Sequence, residues 1–359
     1  MRIFQQLQHC RGFTYSAGAV TGSSALMAIV PAVKKMFLCS LDSHDKLFLH
    51  QPLFTCKREL KVMNGILPLW KPKGLTSHDC VMKVRTLFKT KKAGHTGTLD
   101  PEVEGVLPIC IGQATKIVPF LTDTNKTYIT KVRLGSATDT EDAHGKVTEE
   151  IKITNPPTDK EIEQALSFFT GSIKQLPPMY SAVKVNGKKL YEYAREGKYV
   201  KRPVRETVIH NIERLPDENP DPLSFSFEVI CSKGTYIRTL CVDIGKKLGF
   251  PAHMEKLARI RTGSFTKENS VTFATMEQAA KEHRHQELLL PIIKGLEHLE
   301  RLYVDEQLKE KIQHGQKLKR PGEIKKDPIV LTYGEEVLAI YQIHPDHPEQ
   351  IKPLRVFHG

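Results

Sequence analysis

Hydrophobic positions along the chain recur with two different periods, and each change of period marks an element. From Asn64 onward the apolar group Ile66, Leu67, Leu69 and Trp70 reads as a short strand, closed by the turn-forming run Lys71-Pro72-Lys73-Gly74. Ser77 is placed to cap a helix whose apolar face is Val81, Val84, Leu87 and Phe88, with Lys83, Arg85, Lys89, Lys91 and Lys92 around the remainder. That basic side faces solvent or phosphates. From Lys126 to Leu134 the period is two. Tyr128, Thr130, Val132 and Leu134 fall on one side of a strand, and Thr127, Ile129, Lys131 and Arg133 on the other. Thr158 with Glu161 three residues later forms a capping box, and Ile162, Ala165, Leu166 and Phe169 continue a helix that Gly171 ends.

Residues 177–184 read as extended and Asn186-Gly187 as a tight hairpin turn, followed by a basic strip of Arg195, Lys198, Lys201, Arg202 and Arg205. Phe225, Phe227, Val229 and Cys231 then alternate with Ser226, Glu228, Ile230 and Ser232, the clearest strand signal in the chain. It runs directly into Lys233-Gly234-Thr235-Tyr236-Ile237-Arg238, after which Ile237, Leu240, Cys241, Ile244 and Leu248 keep helical spacing up to Gly249 and Pro251. Lys233, Tyr236 and Arg238 therefore stand at a strand-to-helix junction, where side chains project from a sheet end toward a cleft. Residues 277–290 and 305–314 predict helices, 329–333 and 337–341 a hairpin joined by Gly334-Glu335-Glu336, and 354–357 a last strand. These make a small C-terminal α/β module with Lys317, Lys319, Arg320, Lys325 and Lys326 in its connecting segment.

One stretch obeys neither period. Gly94-His95-Thr96-Gly97-Thr98-Leu99-Asp100-Pro101, continuing through Gly105-Val106-Leu107-Pro108, mixes glycines that admit unusual backbone geometry with prolines that stiffen the rest. It reads as a site loop. His95 and Asp100 are its strongest functional side chains, and a carboxylate held on a stiff loop can act as a nucleophile. Glu102 or Glu104 could supply the second carboxylate of a retaining glycosidase, which needs one at about 5 Å, but nothing marks either as the acid.

Composition sharpens this picture in two ways. The 359 residues carry 53 Lys and Arg against 41 Asp and Glu, a formal charge of +12, which points to a polyanionic partner, nucleic acid above all. The seven cysteines are scattered, with no Cys-x-x-Cys pair and no His/Cys cluster at metal spacing, which predicts neither a disulfide framework nor a metal site and suits a reducing cytoplasm. No apolar run is long enough for a membrane span. Dinucleotide, P-loop, zinc-protease and serine-hydrolase fingerprints are all missing, and no residue pattern calls for a cofactor. Residues 1–62 differ from the rest, with Arg2, Arg11, Lys34 and Lys35 and no acid up to Ser40. That composition fits a targeting peptide, a disordered tail or a start set upstream of the true one; the globular pattern beginning at Met63 favours a dispensable extension.

The segment Gly65 to Ser77 and the loop His95 to Pro108 closely resemble the TruB-type pseudouridine synthases. So do Lys126-Thr127-Tyr128, Thr138-Asp139-Thr140-Glu141-Asp142, Gln175-Leu176-Pro177-Pro178-Met179-Tyr180-Ser181-Ala182 and Ser232 to Arg238, in order and spacing, from Met63 onward. The resemblance implies an α+β fold: a catalytic domain over residues 63–295, built on a mixed, mainly antiparallel central sheet, and a PUA-like RNA-binding domain over 296–359. It implies isomerisation of uridine 55 in the T-loop of tRNA to pseudouridine, without cofactor or metal, by a monomer. Asp100 takes the place of the family's nucleophile, with sugar and base both open as its point of attack. Arg238 is its charge partner, since a guanidinium beside a carboxylate favours the ionised form in a partly dry pocket. Tyr128 resembles the tyrosine that stacks on the target base and Tyr236 the second active-site tyrosine, beside the glycosidic bond. His95 resembles the residue that fills the vacated stack, Asp142 a contact to the rearranging nucleotide, and Leu257 an apolar wall of the uracil pocket. Lys71 is structural or phosphate-directed. The rival from another class is a non-catalytic RNA-binding or tRNA-folding protein on the same fold.

Overall fold

The computed structural model describes residues 63–217, 220–322 and 324–358; the extension expected over 1–62 lies outside them. The chain opens with β1 (Gly65–Lys71), α1 (Ser77–Leu87), β2 (Ala93–His95), β3 (Glu104–Ile111) and the short α2 (Val118–Thr122). There follow β4 (Lys126–Leu134), β5 (Ser136–Thr138), β6 (Val147–Glu150), α3 (Asp159–Phe168), β7 (Gly171–Gln175), β8 (Lys184–Val185), β9 (Lys188–Lys189) and α4 (Leu190–Arg195). Then come β10 (Arg205–Leu215), β11 (Ser224–Cys231), α5 (Ile237–Leu248), β12 (Ala252–Thr262), β13 (Phe265–Thr266) and α6 (Phe273–Lys281). A second group closes the chain: β14 (Glu300–Tyr303), α7 (Glu306–Gln313), β15 (Leu318–Lys319), β16 (Ile329–Tyr333), β17 (Glu336–Ile343) and β18 (Gln350–Val356).

The larger sheet has nine strands in the order β1-β3-β12-β4-β11-β10-β7, with β2 added on β3 and β13 on β12. Its one parallel pairing is β3 with β12, so the sheet is mixed and mainly antiparallel, as expected. Successive residues of a strand point to opposite faces, and β1 and β3 feed two apolar clusters in this way. Leu67, Leu69, Leu107, Ile109 and Ile111 join α1, α3 and α5 in one cluster. Ile66, Val106 and Cys110 join Val330, Val337, Ile340 and Phe357 of the C-terminal group in the other. That group forms a separate five-stranded sheet, β14-β16-β17-β18-β15, in keeping with a PUA-like module. Among the described residues no helix is long and apolar enough to cross a membrane.

The structure departs from the sequence reading at a cap, at a helix boundary and in the strands. Thr76, not Ser77, caps α1, in a reciprocal box with Asp79. The helix expected over 277–290 begins earlier, at Phe273, where the Thr272 hydroxyl accepts the Thr275 N–H, and stops at Lys281, with His283 turning left-handed at φ +59°. The third departure concerns strands: β12 and β10, each of eleven residues, are not predicted at all, and Gly105-Val106-Leu107-Pro108, read as part of the site loop, lies inside buried strand β3.

Candidate active site

The loop between β2 and β3 is fastened at every second residue. Lys71, at the end of β1 and without exposed surface, donates from Nζ to the carbonyls of Pro72 (2.9 Å), Pro101 (3.0 Å) and Val103 (2.7 Å). Ser77 Oγ donates to the Leu99 carbonyl (3.1 Å) and accepts the Leu99 N–H (2.9 Å), so the serine read as a helix cap ties down the loop instead. Arg259 on β12 donates from Nη2 to the Gly97 carbonyl at 3.0 Å and from Nε to the Val106 carbonyl at 2.9 Å. Asp100 thus projects from a backbone held at positions 97, 99, 101 and 103.

Facing it is Arg238, in the first turn of α5. Its Nη2 lies 3.0 Å from Asp100 Oδ2, and the pair is asymmetric in exposure: 9% for the arginine side chain, 44% for the aspartate. The guanidinium also donates to the carbonyls of Thr140 (3.1 Å) and Tyr180 (2.9 Å). A buried charge with acceptors on several sides is held in place, whereas the carboxylate keeps one edge open to a ligand.

The two residues help line a cavity of about 430 Å³, together with Tyr128, Tyr236, Leu257, Lys126, Lys233 and Arg259. Asp100 is the only carboxylate among its described lining residues, against four cationic side chains. Burial raises the phenols of Tyr128 and Tyr236 above their ordinary range, so both present neutral hydroxyls. Burial lowers Lys126 to about 8; its ammonium donates to the carbonyls of Thr122, at 2.6 Å, and Thr124. A smaller recess of about 270 Å³ lies on the other side of Asp100, sharing Leu257 and adding Glu102, Asp142, His144 and Glu255. Asp142 accepts from Thr140 Oγ1 at 2.7 Å and the His144 N–H at 3.0 Å, and its Oδ2 stands 4.0 Å from Arg238.

Four of the anticipated residues, Asp100, Tyr128, Tyr236 and Arg238, therefore share one cavity with Leu257, while Asp142 lines the neighbouring recess. His95 ends β2 and does not line the cavity; its Nδ1 is buried without a partner among the described residues, and burial holds the imidazole below its ordinary value. Lys71 also stays out of the cavity, since its donors all go to backbone carbonyls. That geometry supports the structural of its two expected roles. Glu104 is absent from both linings. Arg259 escaped the sequence reading. Only its place in the polar-apolar run Ala258-Arg259-Ile260-Arg261 could have signalled it.

Residues 85–237 match the TruB family pseudouridylate synthase N-terminal domain, and residues 238–300 the tRNA pseudouridylate synthase B C-terminal domain. A tRNA pseudouridine synthase B of Oceanobacillus iheyensis is 59% identical over 297 residues, 82% of this chain and 98% of the relative. The same-named protein of Bacillus pumilus is 50% identical over 303 residues, again 82% and 98%. Among solved structures, a chain of a Cbf5-Nop10-Gar1 complex is similar with a TM-score of 0.65 and 28% identity, over 84% of this chain and 85% of that one. A chain of an H/ACA RNP bound to a substrate RNA containing 2'-deoxyuridine gives 0.64 and 25%, over 83% and 86%.

Proposed function

The chain belongs to the TruB family of pseudouridylate synthases, and from that premise we propose that it converts uridine 55 in the T-arm of tRNA to pseudouridine with Asp100 as nucleophile. Its activity is that of a tRNA pseudouridine synthase B, an isomerase. In such an isomerisation the bond between the ribose C1′ and uracil N1 breaks, the uracil turns while held, a C1′–C5 bond forms, and C5 gives up one proton while N1 takes one on. Atoms and electrons balance without a co-reactant.

The observation that carries this reading is the single carboxylate in a cationic cavity, 3.0 Å from a buried guanidinium. A retaining glycosidase would want a second carboxylate in the same space, and a protein that only bound RNA would gain nothing from a negative charge facing phosphates. A base inside a folded tRNA cannot reach Asp100, so the uridine leaves its stack, at a cost of about a few kcal/mol. Tyr128 then stacks on the uracil, Leu257 closes its apolar side and Tyr236 stands by the glycosidic bond. Asp142 meets the rearranging nucleotide from the neighbouring recess, and His95 occupies the place the base has left. Exposed lysines and arginines around the cavity draw in the RNA backbone with salt-sensitive, sequence-independent attraction, and the basic C-terminal module extends that contact, while buried Lys126 and Arg259 hold backbone carbonyls of the cavity wall. The enzyme works as a monomer in the cytoplasm, a setting that suits its buried free thiols Cys80, Cys110, Cys231 and Cys241.

The test is mass spectrometry of an unmodified tRNA transcript, chemically tagged for pseudouridine, with and without the purified protein. One new tag at position 55 is expected. A tag elsewhere, no tag, or release of free base would overturn the proposal.

A further inference from the structure

Arg238 aims at Asp100 because two loops hold its other donors, and one of those loops is itself under tension. The Thr140 carbonyl that accepts from Arg238 Nη1 immediately precedes Glu141, whose φ is +64°. Only four non-glycine residues among those described have positive φ. Such a conformation persists where its surroundings over-determine it. Here they do. Thr239 Oγ1 donates to Glu141 Oε2 at 2.7 Å, the Glu141 N–H donates to the Thr138 carbonyl at 3.2 Å, and the Met254 N–H of β12 donates to the Glu141 carbonyl at 3.0 Å.

Thr239 is buried and is the residue directly after Arg238. The loop that supplies the arginine's acceptor is thereby fastened to the arginine's own chain neighbour. The first turn of α5 holds no acidic residue of its own, and its N-cap Tyr236 makes no side-chain cap. Glu141, whose carboxyl burial raises above its ordinary range while the Thr239 hydroxyl opposes that shift, instead accepts at this helix end from a different segment of the chain.

We propose that the Glu141–Thr239 contact is a positioning pair: it fixes the Thr140 carbonyl, hence the direction of the Arg238 guanidinium, and so sets the rate of the chemical step without touching tRNA. The proposal rests on the reading of Asp100 as nucleophile. Small misplacements of a reacting group are costly in rate, so Thr239→Val, nearly isosteric but without the hydroxyl, should lose roughly tenfold in kcat while KM for tRNA stays within about twofold. Thr239→Ser and Glu141→Gln, which keep a donor and an acceptor, should remain near the parent rate. Glu141→Ala and Glu141→Gly should both be slow, although glycine relieves the backbone. In an Arg238→Lys background, assayed in single turnover, Thr239→Val should cost nothing further.

A parent-like kcat for Thr239→Val, a parent-like Glu141→Gly, or a loss confined to KM would overturn the positioning role. Asp100→Asn separates the two levels. If it is inactive while Thr239→Val runs at full rate, only the positioning pair falls; if it is active, both readings fall.

Discussion

A lysine with no exposed surface must satisfy all three ammonium protons inside the protein, and Lys71 does so on the carbonyls of Pro72, Pro101 and Val103. Burial also lowers its affinity for the proton, so the charge is tolerated because those carbonyls surround it. Lys71→Met keeps the length of the stem and leaves those acceptors without a donor. Denaturant titration should show a loss of about 2–4 kcal/mol, and kcat should fall as the Asp100 loop loosens. A loss below about 1 kcal/mol with full activity would contradict this role. At this scale the sequence exposes groups whose chemistry is unusual for their setting. Asp100 among glycines and Arg238 at a strand-to-helix junction stand out singly, but that they pair is implied only by the family resemblance, and they meet at 3.0 Å. Arg259 does not stand out, because its acceptors at Val106 and Gly97 lie 153 and 162 residues away along the chain.

Among the elements, β3 and β12 matter most to the site, since one leads out of the Asp100 loop and the other carries Leu257 and Arg259. Their parallel pairing brings Gly105 opposite Arg259. A Cβ at Gly105 would fall 2.3 Å from the Arg259 carbonyl oxygen and 2.6 Å from its nitrogen, at φ +136°. Gly105→Ala must part the two strands or distort both, with a cost above about 3 kcal/mol; thermal melting should show a large drop or no folded protein. A melting point unchanged from the parent would mean that the pairing is looser than described. Alternation made β4 and β11 readable in advance. It failed for β12, where the register slips between Met254 and Lys256 and again between Arg259 and Arg261, so its inward side chains change phase twice. Charged Glu255, Lys256, Arg259 and Arg261 then break any simple apolar stripe. The helix read over 277–290 was displaced for a similar reason: its start depends on the Thr272 cap and its end on His283, neither of which changes the apolar spacing.

For the molecule as a whole, the basic charge and the cavity act at different ranges: the +12 excess attracts any polyanion, while the cavity offers one carboxylate, Asp100, among its described lining residues. The catalytic sheet and the C-terminal sheet share an apolar cluster, with Ile66, Val106 and Cys110 packed among Val330, Val337, Ile340 and Phe357. Neither can shed the other without opening that core to water. Calorimetry should therefore record one cooperative transition for residues 63–359, and two separated transitions would show that the clusters fold independently. The proposed chemistry rests most directly on Asp100. With Asp100→Asn, an assay of pseudouridine formation in tRNA run beside tRNA binding should give turnover reduced by at least about a thousandfold with binding retained. Turnover equal to the parent would contradict it.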